Sequence, residues 1–438
     1  MGDFTIPFDL HLPSFVAGVL VRLRNSGHAV HIVGGALRDT FLERPVPDWD
    51  ISTSATSDQI GALFIDTRSY RLKHETVTLI VQGRRVEITP FRGPEKTLQG
   101  DLARRDFTIN AMAYDPVCHV LIDPWEGQKD LERRMVKATG NPESRFQEDP
   151  IRLLRGVRLA VELDFRIHED TLMTMHSMAS NISHAPRERV RDELFKILLC
   201  DRPSRGFRTL MKTGLLGFVL PELAEGRDVA QNPYHRYTVF THTMETLARV
   251  PSVLHLRLAA LLHDIAKPRV RTHDDGQWRF FGHEEAGAVL AEEIMERLRV
   301  SRSLIKSVVR LVRYHMIQYS PEWGDPAVRR LLRKVGSEHI PDLLTLRRAD
   351  LQAHGTSPEP LGPLNDLEQR THSLIREKAV TRLTHLAVNG RTVMRVLNLG
   401  SGPMVGRCLD ELLEVVTERP GLNNERDLIE ILLKMKGD

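Results

Sequence analysis

Two aspartates, Asp48 and Asp50, flank Trp49 in the string Pro-Asp-Trp-Asp-Ile-Ser-Thr. In an extended chain residues two apart share one face, so both carboxylates point at the same spot. Two like charges held that close are costly unless a cation lies between them, and hard oxygen donors suit Mg²⁺. Upstream, the apolar run Val30 to Val33 reads as a short buried strand that stops at Gly34-Gly35, where a helix carrying Arg38 should open. Backbone N–H groups at a glycine turn and the guanidinium fork of Arg38 are donors for phosphate oxygens. Taken singly, a Gly-Gly pair and an Asp-x-Asp are common structural turns. In this order, on a strand–turn–helix–strand pattern, they describe a Mg²⁺ site beside a triphosphate pocket.

More groups of the same chemistry follow. Two strands are expected at Glu75 to Val81 and Arg85 to Thr89, joined at Gln82-Gly83-Arg84. Glu87 is either a third carboxylate facing Asp48 and Asp50 or an exposed strand residue. The string Asp101-Leu-Ala-Arg-Arg-Asp-Phe-Thr-Ile-Asn-Ala sets Arg104, Arg105 and Asp106 ahead of an expected apolar helix containing Asn110. Arginines suit a triphosphate and a carboxylate suits sugar hydroxyls; equally, Asp106 caps the helix and the arginines are solvated. In Glu148-Asp-Pro-Ile-Arg-Leu-Leu-Arg-Gly-Val-Arg158, Pro150 marks a helix start. Asp149 and Arg152, three apart, are expected on one helix face. Such a pair complements the amine and adjacent acceptor of cytosine, or of adenine if slightly moved, although a plain surface ion pair has the same spacing. Arg155 and Arg158 continue this helix toward phosphates or solvent. Arg187 to Lys196 reads as a packing helix with basic flanks.

A second constellation lies between residues 234 and 355: His242, then His263-Asp264 with Lys267, then His283, His315 and Asp350. One histidine on an apolar helix is ordinarily a core residue. Four histidines and two aspartates, each closing an apolar helical run, are better explained as ligands around a divalent cation. Such a cation activates water against a phosphoester. Lys267 either holds a phosphate or caps a helix C-terminus.

As a set, the Gly34-Gly35 turn, the Asp48/Asp50 pair, Arg-Arg-Asp-Phe-Thr-Ile-Asn-Ala and Glu-Asp-x-x-Arg resemble the nucleotidyltransferase superfamily, specifically the bacterial CCA-adding and poly(A) polymerase family. The resemblance implies Mg²⁺ on Asp48 and Asp50 with Glu87 assisting, ribose recognition at Asp106, and base reading by Asp149 and Arg152. It further implies CTP, in some members ATP, and the tRNA 3′ end as substrates. Only eight residues, Gly93 to Gly100, lie between Phe91-Arg92 and Asp101-Leu102, where CCA-adding members carry a longer acidic segment. That shortening looks like the CC-adding subgroup; the alternative is a freely varying loop in an enzyme that completes CCA. Arg71-Leu-Lys-His-Glu-Thr-Val resembles CCA-type members rather than poly(A) polymerases. His242, His263, Asp264 and Asp350 resemble the core ligands of the HD phosphohydrolase superfamily, and His283 and His315 the extra histidines of some members.

The elements that must position these residues make an α/β nucleotidyltransferase head (a mixed sheet with helices), then an all-α neck and body, an HD domain and a helical tail. A chain of 438 residues is too long for one core. The expected divisions are head 1–140, neck and body 141–232, HD domain 233–357 and tail 358–438, with a Pro/Gly-bearing linker at 358–363. Net charge is only +3, which permits nucleic-acid binding without demanding it. The three cysteines, Cys118, Cys200 and Cys408, are isolated, so neither disulfides nor a thiolate zinc site is indicated. No apolar stretch approaches a membrane span and no leader is evident, which reads as a cytoplasmic protein. Two other readings compete: a poly(A) polymerase, and an HD phosphohydrolase whose head binds RNA without catalysis.

Overall fold

The computed structural model describes residues 5–71, 75–231, 236–355, 361–377 and 382–435. Residues 72–74 of the Arg71–Val77 string, the boundaries placed at 232/233 and 357/358, and residues 358–360 of the 358–363 linker lie outside the described residues. Gly362 and Pro363 begin a helix, Gly362–Arg376, instead of continuing a linker. The chain forms two compact units, Met1–Val219 and Leu220–Asp438.

The first unit is built on an eight-stranded mixed sheet: β1 (Thr5–Pro7), β2 (Val30–Val33), β3 (Trp49–Thr53), β4 (Ser69–Arg71), β5 (Val77–Val81), β6 (Arg84–Pro90), β7 (Ala113–Asp115) and β8 (Val120–Ile122). Their order is β1-β8-β7-β2-β3-β6-β5-β4. β3 runs antiparallel to β2 and parallel to β6, so it sits in the middle with neighbours on both sides. Its apolar residues and those of β2 are buried, as Ile32, Val33 and Ile51 show. The β5–β6 hairpin closes on Gln82 and Gly83, both at positive φ, the two-residue turn whose twist matches that of paired strands. Helices Ser14–Asn25 and Ser57–Leu63 accompany the sheet, the second opened by a Thr56/Gln59 capping box.

Behind Asp106 the expected apolar helix does not form. Thr108–Asn110 is one 3-10 turn, after which Ala113–Asp115 joins the sheet as β7. Phe107, Ile109, Ala111 and Met112 are fully buried in that turn, so their apolar character reflects the core and not a helical face. Gly127 opens helix Gly127–Glu132, just after Glu126, which is in the left-handed region. A Cβ on Gly127 would collide with the Thr108 carbonyl, so close packing is what requires glycine there.

Helices Pro142–Glu148, Ile151–Glu162, Arg187–Leu199 and Pro203–Lys212 also belong to this unit. In the second unit, helices Val239–Leu247, Leu254–Leu262, His283–Arg297, Arg302–Tyr314 and Ile340–Gln352 carry the histidine constellation. The three helices Gly390–Leu397, Pro403–Glu418 and Glu425–Met435 enclose a small core of their own, including Val393, Leu412, Val416 and Leu428. Among the described residues no helix is long and apolar enough to cross a membrane.

Candidate functional site

Strand register builds the first site. Asp50 pairs with Val33 of β2 on one side and with Glu87 of β6 on the other, which sets the two carboxylates side by side on one sheet face. Gly34 follows β2 at φ 74°, and a Cβ there would lie 2.8 Å from Asp50 Oδ2 and 2.9 Å from Arg105 Nη1. Only glycine satisfies both the backbone and the space. The Gly35 N–H donates to the Asp50 carboxylate. Asp48 lies in an exposed bend just before β3. Burial pushes the Asp50 carboxyl up, against the pull of Arg105 and Arg155, and the charge of Asp48 adds to the rise. Burial also raises Glu87, reinforced by Asp50 and then Asp48. Asp50 and Glu87 thus bring two hard oxygen donors together at one face, the kind of donor that divalent cations such as Mg²⁺ take.

A cavity of about 770 Å³ opens over this face. Gly34, Gly35, Arg38, Asp50, Glu87, Arg104, Arg105, Asp106, Asn110, Asp149, Arg152, Arg155 and Arg158 all line it; Asp48 does not. Arg105 is fastened by Asp101, whose Oδ2 accepts from Nε at 3.3 Å and Nη2 at 3.1 Å, and Nη2 also donates to Ser52 Oγ of β3 at 3.2 Å. Ser52 Oγ in turn donates to the same Asp101 oxygen at 2.9 Å. A polar chain crosses the cavity floor. Arg38 Nη1 donates to Asn110 Oδ1 (2.9 Å), Asn110 Nδ2 to Asp106 Oδ1 (3.2 Å), and Arg155 Nε stands 2.8 Å from Asp106 Oδ2. Burial opposes the ionised form of Asp106, but Arg155 and Asn110 outweigh it and hold this carboxyl below its usual value.

Several expectations need correction here. Asp149 and Arg152 do not form a pair on one helix face. Asp149 is extended (φ −149°, ψ 100°) between helices Pro142–Glu148 and Ile151–Glu162, because the ring of Pro150 disfavours helical geometry in the residue before it. Its carboxylate is gripped by Arg189, Nη1 to Oδ1 at 3.0 Å and Nη2 to Oδ2 at 2.8 Å. Arg152 donates instead to Glu148 Oε2 and to the carbonyls of Arg145 and Arg104. Arg158 faces neither phosphate nor bulk solvent alone, since it pairs with Glu162 and, at 2.7 Å, with Glu193. Sequence reasoning missed Ser52, Asp101 and Arg189. Asp101 stands at the head of the Arg-Arg-Asp string, whereas Ser52 and Arg189 acquire meaning only through folding.

The second site lies wholly in the second unit and opens on a cavity of about 900 Å³. Asp264 is its centre. Its Oδ2 lies 3.2 Å from His263 Nε2 and 3.5 Å from His242 Nε2, and its Oδ1 lies 3.5 Å from His283 Nε2 and 3.7 Å from His315 Nε2. Asp350 Oδ1 is 2.9 Å from His242 Nε2 and 3.6 Å from His354 Nε2, a histidine the sequence reading left out. In each of the four predicted histidines Nδ1 faces a backbone carbonyl, of Ala353, Ala260, Phe280 and Val312 respectively. That leaves Nε2 turned inward as a lone-pair donor. Both Asp264 oxygens are buried without a well-aligned hydrogen bond. These are the properties of a ligand set for divalent cations. Lys267, which opens helix Lys267–Val270, caps no C-terminus; its Nζ stands 2.7 Å from Asp264 Oδ2 and donates to Gln231. Burial would raise the Asp264 carboxyl, but His263 and Lys267 hold it well below the usual range. Burial lowers His283 to about 4, so its ring is neutral at physiological pH.

Comparison with known proteins agrees with this geometry. The family described as "Poly A polymerase head domain" matches residues 30–137, "Probable RNA and SrmB- binding site of polymerase A" matches 164–226, and "HD domain" matches 234–352. An A-adding tRNA nucleotidyltransferase of Deinococcus radiodurans is 33% identical over 87% of this chain and 90% of its own length. A CC-adding tRNA nucleotidyltransferase of Thermus thermophilus is 32% identical over 90% of this chain and 91% of its own. The crystal structure of the Bacillus stearothermophilus CCA-adding enzyme in complex with CTP superposes with a TM-score of 0.73 at 25% identity, covering 97% of each chain. This chain therefore belongs to the tRNA nucleotidyltransferase and poly(A) polymerase family, and it is a nucleotidyltransferase that carries an HD domain.

Proposed function

We propose that this enzyme adds two cytidines from CTP to the 3′ end of tRNA and stops before the terminal adenosine. The observation that carries this reading is the short connection out of the central sheet. β6 ends at Pro90 and the next helix begins at Leu98, with Gly93 (φ 102°) drawn close to the Arg104 side chain. That connection lacks the longer segment associated with a change of base. The relatives named above include both an A-adding and a CC-adding enzyme, so family membership alone does not select between them.

In this reading residues 1–140 are the catalytic head, 141–232 the neck and body, 233–357 the HD domain and 358–438 the tail. Asp48 and Asp50, with Glu87 assisting, would hold Mg²⁺, which would supply charge stabilisation at the α-phosphate of CTP as the tRNA 3′-hydroxyl attacks and pyrophosphate leaves. Arg38, Arg104 and Arg105, beside the Gly34-Gly35 turn, receive the triphosphate. Arg105 is held in place by Asp101, so its charge is aimed before substrate arrives. Asp106 and Asn110 take the ribose hydroxyls, while Arg155 keeps Asp106 ionised and Arg158 braces the helix beneath. Asp149 accepts from the base amine and Arg152 donates to the acceptors beside it. The tRNA is gripped by shape and backbone charge.

The HD residues His242, His263, Asp264, His283, His315 and Asp350 hold divalent metal, which supplies a water activated against a phosphoester. Lys267 and Arg347, both lining that cavity, neutralise a bound phosphate there.

Incubation with tRNA lacking its 3′ end decides the nucleotide specificity. CTP alone should add two residues and no more, and CTP with ATP should give the same product. Addition of a final adenosine, or incorporation of A alone onto tRNA already ending in CC, overturns the CC reading.

A further inference from the structure

We infer that Arg189 is a specificity-determining residue of the nucleotide site, locking Asp149 so that only one base fits; this rests on the proposed base-reading role of Asp149 and Arg152. A carboxylate offers about four lone-pair positions. On Asp149, Oδ1 accepts from Arg189 Nη1 at 3.0 Å and from the Ile151 N–H at 3.3 Å. Oδ2 accepts from Arg189 Nη2 at 2.8 Å, which leaves one position on Oδ2 for a base amine. Paired guanidinium bonds fix the plane and rotation of the carboxylate as well as its place. The partner is itself anchored, since Arg189 rises from the first turn of Arg187–Leu199, whose Val190, Leu194 and Ile197 are buried.

Arg152 is held independently. Nη1 donates to Glu148 Oε2 (2.9 Å) and the Arg145 carbonyl (3.1 Å), and Nη2 to the Arg104 carbonyl (2.7 Å). The two readers are thus held by different partners, Asp149 by Arg189 and Arg152 by Glu148 and the carbonyls of Arg145 and Arg104. Cytosine and adenine both present an amine next to a ring acceptor, but the adenine amine lies farther from its ribose because a five-membered ring intervenes. With the sugar held at a fixed place, a locked Asp149 meets one of these amines and not the other. A carboxylate free to change rotamer could follow both. Uracil is refused for another reason: it turns an acceptor oxygen toward Asp149, and that repulsion survives loss of Arg189.

The test measures kcat/KM for single incorporation of CMP, AMP and UMP onto tRNA lacking its 3′ end, with the full chain carrying Arg189→Ala, Arg189→Lys or Asp149→Ala. Both Arg189 variants should lower the C:A ratio roughly tenfold, the scale of one well-made base contact, while the C:U ratio holds. Arg189→Lys keeps the charge but loses the fork, and a melting curve of each variant checks folding. Asp149→Ala should lose both ratios. If Arg189 instead serves as a phosphate contact, its variants lower all three rates in proportion and the inference fails while base reading by Asp149 stands. If Asp149→Ala keeps both ratios, the base-reading role itself is wrong.

Discussion

Asp50 and Glu87 stand side by side across the parallel pairing of β3 and β6, and the charge of Asp50 adds to burial in raising the Glu87 carboxyl. A carboxyl whose folded value is raised binds its proton better in the native state. Its stabilising contribution is present at low pH and is lost as pH climbs through the raised value. At neutral pH and without Mg²⁺, Glu87→Gln should therefore raise the melting midpoint, by about 2–4 °C for each kcal/mol of repulsion removed. The gain should shrink as the pH falls to about 4, where ordinary carboxyls protonate. The same variant should lose CMP incorporation. A midpoint that falls on substitution would contradict the repulsion.

Gly34 leaves no room for a side chain between Asp50 and Arg105. Gly34→Ala should cost about 1–3 kcal/mol in stability from its positive φ. Displacing either neighbour should reduce kcat by roughly a hundredfold, the scale seen when a catalytic group moves by an ångström. Steady-state kinetics beside a denaturant titration separates the two effects.

Asp101 is fully buried and holds Arg105 through two donors. Asp101→Asn keeps the shape but removes the charge, leaving a guanidinium poorly compensated. A loss of about 3–5 kcal/mol is expected, as for breaking a buried ion pair from one side. In the folded fraction, KM for CTP should rise more than kcat falls, because the residue acts on the substrate only through Arg105.

In the HD site, His283 is neutral above about pH 5 because burial lowers it to about 4. His263 behaves oppositely. Burial disfavours its charge, yet Asp264 outweighs burial and raises it above its ordinary value. A divalent ion must displace that proton, so metal affinity should climb with pH through the range above the usual histidine value and fall below it. Calorimetric titration with Mn²⁺ across pH 6 to 8 reads this directly, and a flat profile counts against His263 as a ligand. By elemental analysis, His283→Ala should lower bound metal while leaving CMP incorporation by the head unaltered.

Much of the head is legible along the chain because its chemistry is local. A strand, a glycine pair and Asp50 lie close together in sequence and line one cavity in that order, whereas Asp48 falls in the bend before β3 and does not line it. Asp149 shows where spacing misleads: a separation of three suggests a helix face, although Pro150 forbids that geometry to the residue before it. The run after Asp106 shows a second limit, since a short buried apolar stretch looks alike in a helix and in a central strand. Ser52 and Arg189 belong to a third class: nothing near them in the chain marks them, and their partners arrive from 49 and 40 residues away. His354 differs, since it stands four residues after Asp350, a helical spacing visible in the chain.

The rings of His263, His283 and His315 each find their carbonyl three residues earlier, within their own turn. Their aim is thus written into the main chain, which no substitution of a neighbouring side chain can erase. His242 alone leans on a distant carbonyl, that of Ala353. Should the segment after helix Ile340–Gln352 loosen, the centre would lose the heading of that one ring first and keep the other three.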